Sequence, residues 1–566
     1  MIDLGTKPFY LDQKGSKWVE ETLASMTIKE KIGQLFCEIH WDKGDRDISE
    51  LFEVITPGAI MYRPFPAEKM RAFSEKLQSI AKIPMLIACN LERGGSGGNG
   101  GITDGTYMAS PMGVAATDEE EQAVRLGRIA AREGAAVGVN WNFEPIIDID
   151  LNCENPITNV RTYGSDVDRI IRMAEGFRQG CEENDVAVCI KHFPGDGVDY
   201  RDQHLMPSIN SLSAQEWFAS YGRIYQALID RGAQTLMAAH IKQPALSRMV
   251  RPDIKDEDIM PGSLSEELMT GIIRGRMGFN GVIITDATQM VGFTCSMPRE
   301  KAVPLCIERG SDMFLFTINQ KEDVDYMLDG FKNGLLSPER LDEAVTRILA
   351  LKASLKLHEK SENKTLVPPR ENLSVIKSSE HVIWAKECAD KCITLVKNKE
   401  DLLPLSPVKY PKIKLFVCTN EKHEGYLPDA AYFKKLLERE GFQVDWLIEK
   451  PYPGEGLSIK EYREETDLII YYANMKVGSN QTSIRLIWED FLGETSPKYV
   501  NDIKTLFLSF SNPYHLIDVP MIKTYINAYY SNQYSVEAMI EKLMGRSEFK
   551  GISPVDPYGN LWDTKL

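Results

Sequence analysis

Histidine is scarce in this chain, with eight in 566 residues. No apolar run approaches the roughly 20 residues that a bilayer-spanning helix needs, which argues against a membrane-spanning protein of that kind. The opening stretch MIDLGTKPFYLDQKGSKW has no apolar core of a signal peptide. Positive charge is in the minority: Lys and Arg number 66 against 82 Asp and Glu, a formal net charge of −16. That balance disfavours nucleic acid and anionic membrane as partners and supports solubility. The ten cysteines fall mostly inside apolar runs such as MLIACN and VAVCIK, and Cys388 and Cys392 lack the tighter pairings of a zinc site. Buried free thiols are expected, and with them a reducing, cytoplasmic location. The one glycine cluster, Glu92 to Gly105, lacks the Lys-Ser/Thr of a phosphate loop and has no acidic ribose partner downstream. It reads as a flexible loop that lets backbone approach a ligand closely. No cofactor and no metal are expected.

What is present is the composition of a globular protein, 43% hydrophobic and 26% charged, long enough for two domains or three. Eight short β-rich runs alternate with amphipathic helical patterns: KIGQLFCEI, GAIMYRP, MLIACN, VNWNFEP, VAVCIKHF, TLMAAHI, GVIITDA and DMFLFT. This alternation predicts a (β/α)8 barrel over residues 1–352. Each run turns polar at its end, at Glu38 and His40, Arg63, Asn90 and Glu92, Asn142 and Glu144, Lys191 and His192, His240, Asp286 and Thr317. In such a barrel the C-terminal strand ends converge on the face that carries the site.

Residues 353–375, with paired Pro368 and Pro369, read as a linker. Beyond them, over 376–566, six further runs (CITLVKN, IKLFVCTN, FQVDWLIEK, DLIIYYANM, KTLFLSFSNPY and MIKTYINAYYS) alternate with helical patterns. They predict a doubly wound α/β sandwich domain.

The stretch KHFPGDGVDYRDQH, Lys191 to His204, gathers proton carriers around two glycines and a proline. Imidazole titrates near neutrality, so His204 can give a proton to a leaving oxygen and take one from water. Asp202 can hold the other ring nitrogen and fix its tautomer. Lys191 and His192, at the strand end, are better placed to hydrogen-bond sugar hydroxyls. Asp286, ending GFNGVIITDATQM, can cap the following helix or face the pocket as a nucleophile. One carboxylate nucleophile with a separate proton donor is the layout of retaining glycoside cleavage.

These stretches resemble glycoside hydrolase family 3 over nearly the whole chain, most closely in NWNFEPIIDIDLNCENPITNVRTYG, KHFPGDG, PGSLSEEL through MGFNGVIITDATQM, and ECADKCITLVKNKEDLLPL. The resemblance implies a retaining β-glycosidase with Asp286 as nucleophile. It implies that Lys191, His192 and Arg161 hold the innermost sugar. The β-N-acetylglucosaminidase branch of the family uses an Asp-x-His dyad after KHFPG, which matches Asp202 and His204. Gln203 stands between them, where a small hydroxyl residue is more usual. Asn90 stands where many relatives carry an Asp that binds outer sugar hydroxyls, and Glu92 or the glycine loop is a candidate to take over that contact. Arg63 and His240, at two further strand ends, complete the candidate sugar ligands.

The reading is therefore a β-N-acetylglucosaminidase-like exo-glycosidase acting on a β-linked amino-sugar oligosaccharide or glycoside. Three alternatives stand beside it. A β-glucosidase or β-xylosidase would draw its acid/base from Glu424 or Glu489. A phosphorolytic enzyme would use the same dyad, and a sugar-binding protein would keep the pocket without turnover.

Overall fold

A computed structural model describes residues 2–566 apart from 41–47, 98–99, 421–426, 448–457, 476 and 489–494. The chain forms two compact units. The first comprises residues 1–107, 123–149 and 167–381, and the second 108–122, 150–166 and 382–566.

The first unit is built on eight parallel strands: β1 (Phe36–His40), β2 (Ala59–Tyr62), β3 (Leu86–Cys89), β4 (Trp141–Asn142), β5 (Ala187–Phe193), β6 (Thr235–Ala238), β7 (Val282–Thr285) and β8 (Phe314–Leu315). They follow one another in sequence order around the sheet, and β8 returns to pair with β1 through Phe36–Phe314 and Cys37–Leu315. A single parallel bridge, Ile284–Met313, brings β7 to the start of β8 and nearly closes the barrel. The strands are buried on both faces, which is why they read as continuous apolar runs. Alternate residues fill the interior, and the small Ala59, Ala88 and Ala187 share one core with the large Trp141 and Phe143. The buried Trp141 indole donates to Thr235 Oγ1 at 2.9 Å, so its polar edge is satisfied. Outside, the helix Ala67–Ile80 buries Met70, Ser74 and Leu77, the spacing of one helical face.

The segment read as a linker carries a helix, Leu357–Glu362, and a 3-10 turn, Arg370–Val375. Arg71 donates through Nε and Nη2 to the Pro368 carbonyl and ties it to the barrel helices. The first unit thus runs on to His381.

The second unit holds six strands: β9 (Thr394–Asn398), β10 (Lys412–Cys418), β11 (Gln443–Leu447), β12 (Leu468–Ala473), β13 (Lys504–Ser509) and β14 (Thr524–Asn527). Their order is β9-β14-β13-β12-β10-β11, all parallel except β9, which runs antiparallel to β14. Aligned register stacks Phe416 on Tyr471, Tyr471 on Phe507 and Phe507 on Tyr525, with centroids 5.1 to 5.7 Å apart. Among the described residues no helix is long and apolar enough to cross a membrane.

Candidate active site

The interior line of β5 runs Ala187, Cys189, Lys191, so the lysine rises at the C-terminal mouth above packed apolar layers. Its Nζ lies 2.7 Å from Glu144 Oε1, and both side chains are 2% exposed. A buried ammonium is tolerable only with such a partner. His192 follows, and Asp148 serves it twice: Oδ2 lies 2.6 Å from ring Nδ1, and Oδ1 accepts the His192 backbone N–H at 3.1 Å. The same Oδ1 accepts Asp196 N–H at 2.8 Å, which turns the chain into the loop beyond. Because a carboxylate accepts, Nδ1 carries the proton and Nε2 remains for a ligand.

The loop from Pro194 to Leu205 is pinned at several points. Trp217 Nε1 donates to Pro194 O at 2.7 Å and Tyr221 OH to Asp196 O at 2.6 Å. Gly195 has φ +115°, and a β-carbon there would collide with the Tyr221 ring, so only glycine fits. Within this loop Asp202 is buried, and its Oδ1 lies 2.7 Å from His204 Nδ1. His204 thus holds its proton on Nδ1, which leaves Nε2 as the ring's acceptor nitrogen, and the side chain is 25% exposed. The loop is docked: Val291 N–H donates to His204 O at 3.2 Å and Gly292 N–H to Gln203 O at 3.0 Å.

Asp286 follows β7 directly. Its backbone N–H donates to Ala238 O at 2.8 Å, and its Oδ1 accepts Ala287 N–H at 2.7 Å. Burial pushes its carboxyl pKa up, but the imidazoles of His192, His240 and His204, with the Ala287 N–H, more than offset this and lower it. Asp286 is therefore held as a carboxylate within electrostatic range of three imidazoles, and it caps no helix, since the next one begins at Val291 with Met290 at its N-cap. Burial drives the pKa of His240 down to about 4, so its charge helps hold Asp286 ionised only in acid, and at neutral pH the ring is neutral.

Of the predicted residues, the structure brings Asp286, His192, His204 and His240 within electrostatic range of one another. Lys191, Glu144 and Asp286 all lie within electrostatic range of the buried Cys189 thiol. His240 differs from expectation. Its Nε2 meets Ala287 O at 3.0 Å and its Nδ1 meets Ser263 Oγ at 2.7 Å. A carbonyl only accepts, so Nε2 carries the hydrogen and Ser263 donates to Nδ1. With both nitrogens engaged, His240 supports the turn bearing Asp286 rather than holding sugar. Arg161 sits in a 3-10 turn, Asn159–Arg161, of the second unit, where its Nη1 donates to Ile157 O at 3.3 Å. Arg63 and Glu92 lie at the ends of β2 and β3, and Glu92 is buried with Oε1 3.8 Å from Arg93 Nε. Asn90 Oδ1 is buried and has no hydrogen-bond partner among the described residues. Glu38 and His40 are engaged elsewhere: Glu38 Oε2 accepts from Thr317 Oγ1 at 2.8 Å, and His40 packs on Phe65 and Phe73. Glu424 and Glu489 lie outside the described residues.

Sequence reasoning missed Asp148 and Ser263. Asp148 alternates with isoleucines in Ile146–Ile147–Asp148–Ile149, and a buried acid in such a run needs a partner.

Residues 27–351 match the family described as Glycosyl hydrolase family 3 N terminal domain. A beta-N-acetylglucosaminidase/beta-glucosidase of Cellulomonas fimi is 42% identical over 573 aligned residues, covering all of both chains. A solved structure of the beta-glucoside phosphorylase BglX bound to 2FGlc is 62% identical, covers 99% of each chain and superposes with a TM-score of 0.96. A family 3 beta-N-acetylglucosaminidase from Paenibacillus sp. str. FPU-7 is 23% identical over 95% of this chain and all of that one, with a TM-score of 0.78, and shares the fold.

Proposed function

The chain belongs to glycosyl hydrolase family 3, and we propose that it cleaves β-glucosides and β-N-acetylglucosaminides through a covalent intermediate that inorganic phosphate resolves. The observation that carries this reading is the Asp202–His204 hydrogen bond beside Asp286. In the first step Asp286 attacks the anomeric carbon, the bond to the leaving oxygen breaks, and protonated His204 gives that oxygen its proton. Lys191 and His192 Nε2 grip the sugar hydroxyls.

Charge then favours phosphate as acceptor. After the first step Asp286 is an ester and His204, having lost its proton, is neutral. A carboxylate acid/base would be anionic at this moment and repel an incoming dianion at close range. Hydrogen phosphate brings an oxygen already deprotonated, attacks the anomeric carbon, and releases the Asp286 carboxylate. Two inversions give a β-linked glycosyl phosphate. The 62% identical relative named as a phosphorylase supports this choice.

A second reading, hydrolysis of β-N-acetylglucosaminides, is supported by the name of the Cellulomonas fimi relative. There His204 deprotonates water in the second step. The ten free cysteines fit a reducing, cytoplasmic setting for either. The deciding experiment compares aryl β-glucoside with aryl β-N-acetylglucosaminide, each with and without phosphate, and identifies products by ³¹P NMR. Phosphate-stimulated turnover with a β-glycosyl phosphate supports phosphorolysis. Free sugar at a rate indifferent to phosphate supports hydrolysis.

A further inference from the structure

The loop that bears His204 and the turn that bears Asp286 meet at one buried side chain, Gln203. It is 1% exposed, and its Oε1 accepts the His240 backbone N–H at 2.7 Å. His240 in turn holds Ala287, the residue after Asp286, through its ring. The connection His204–Gln203–His240–Ala287–Asp286 therefore begins one residue from the proposed proton donor and ends one residue from the proposed nucleophile. Gly292 completes the joint. A β-carbon there would lie 2.7 Å from His240 Cβ and 3.1 Å from Gln203 O, so the three loops are in close contact.

We infer that Gln203 is a positioning residue: its amide oxygen latches the acid/base loop to His240, so that His204 is held beside Asp286 before substrate arrives. The inference rests on His204 as proton donor. The backbone bonds from Val291 and Gly292 can form with any residue at position 203, but the bond to His240 N–H needs a long side chain ending in an acceptor. A serine or threonine at this position is two bonds too short to make it. Without the acceptor, the His240 N–H is buried and unsatisfied, and the loop loses the side-chain bond that adds to the two backbone bonds holding it closed.

The test uses Gln203→Met, which keeps length and removes the acceptor, with Gln203→Glu to restore it and Gln203→Ser as a second truncation. Two readouts are taken on the full chain. Hydrogen exchange over residues 198–206 and 287–293 reports closure. The dependence of kcat/KM on leaving-group pKa, across a series of aryl β-glucosides, reports proton donation. The expected result is exchange faster by roughly ten-fold in both segments for Met and Ser, protection elsewhere unchanged, and closure regained with Glu. The leaving-group dependence should steepen in Met and Ser. Unchanged exchange overturns the latch. Faster exchange with an unaltered leaving-group dependence overturns positioning. His204→Ala is run in the same series: if it shows no steepening, the proton-donor reading itself falls, and exchange alone decides the latch.

Discussion

One oxygen of Asp202 holds His204 at both ends, accepting the ring Nδ1–H at 2.7 Å and the backbone N–H at 2.8 Å. The ring cannot flip without giving up the first bond, so Nε2 is the nitrogen available to the proposed proton transfers.

Asp202→Asn should break that assignment. An amide can donate to Nδ1, which moves the hydrogen to Nε2 and removes the base. Activation of water should fall by roughly 10²–10⁴-fold, whereas attack by hydrogen phosphate, which needs no base, should fall far less. The ratio of glycosyl phosphate to free sugar therefore rises in this variant. An equal loss of both products would count against the role of Asp202.

His240 predicts acid sensitivity of folding. Burial, helped by a downward push from His204, holds the folded ring's pKa near 4, below its ordinary 6.5, against smaller upward pulls from Asp286 and the Ala287 carbonyl. The unfolded chain therefore binds this proton first, and stability falls as pH drops from about 6.5 towards 4. Between about pH 7 and about pH 4.5 this one group should cost about 2 kcal/mol. Urea unfolding at the two values checks it: His240→Asn should be less stable at neutral pH and should lose that much of the pH dependence.

Glu38 acts in the opposite sense. Burial, with Asp323 nearby, raises its carboxyl pKa to about 7 despite the Thr317 hydrogen bond. Its folded pKa lies above the unfolded one, so its contribution is present at low pH and is lost as pH rises through about 7. Glu38→Gln keeps an acceptor for Thr317 and has no proton to lose. Its melting temperature should approach or exceed that of wild type at about pH 8, and should fall relative to it at about pH 5.

The barrel was legible because every strand is covered on both faces, so each appears as a short continuous apolar run. The Asp202–His204 pair was legible because its members are two residues apart. Asp148 was not, since its partner His192 lies 44 residues on. His240 reads in sequence like any polar strand end; only the carbonyl of Ala287 and the hydroxyl of Ser263, both distant in the chain, reveal a ring with no nitrogen to spare. The antiparallel course of β9 was hidden too, because an apolar run carries no direction. Nor could a contiguous boundary at residue 352 anticipate that 108–122 and 150–166, with Arg161, join the second unit.

Azide rescue, read through product stereochemistry, separates the proposed bond formation by Asp286 from the proposed proton transfer by His204. With a nitrophenyl β-glycoside, whose leaving group needs little protonation, His204→Ala should still be glycosylated and then stall. Azide, needing no deprotonation, should restore turnover and yield the β-glycosyl azide. Asp286→Ala should be nearly inactive, and any azide product there should be the α-anomer, from a single inversion. A His204→Ala variant that loses activated and natural substrates equally and ignores azide would remove His204 as the proton carrier, and an Asp286→Ala variant that yields the β-azide would remove Asp286 as the nucleophile.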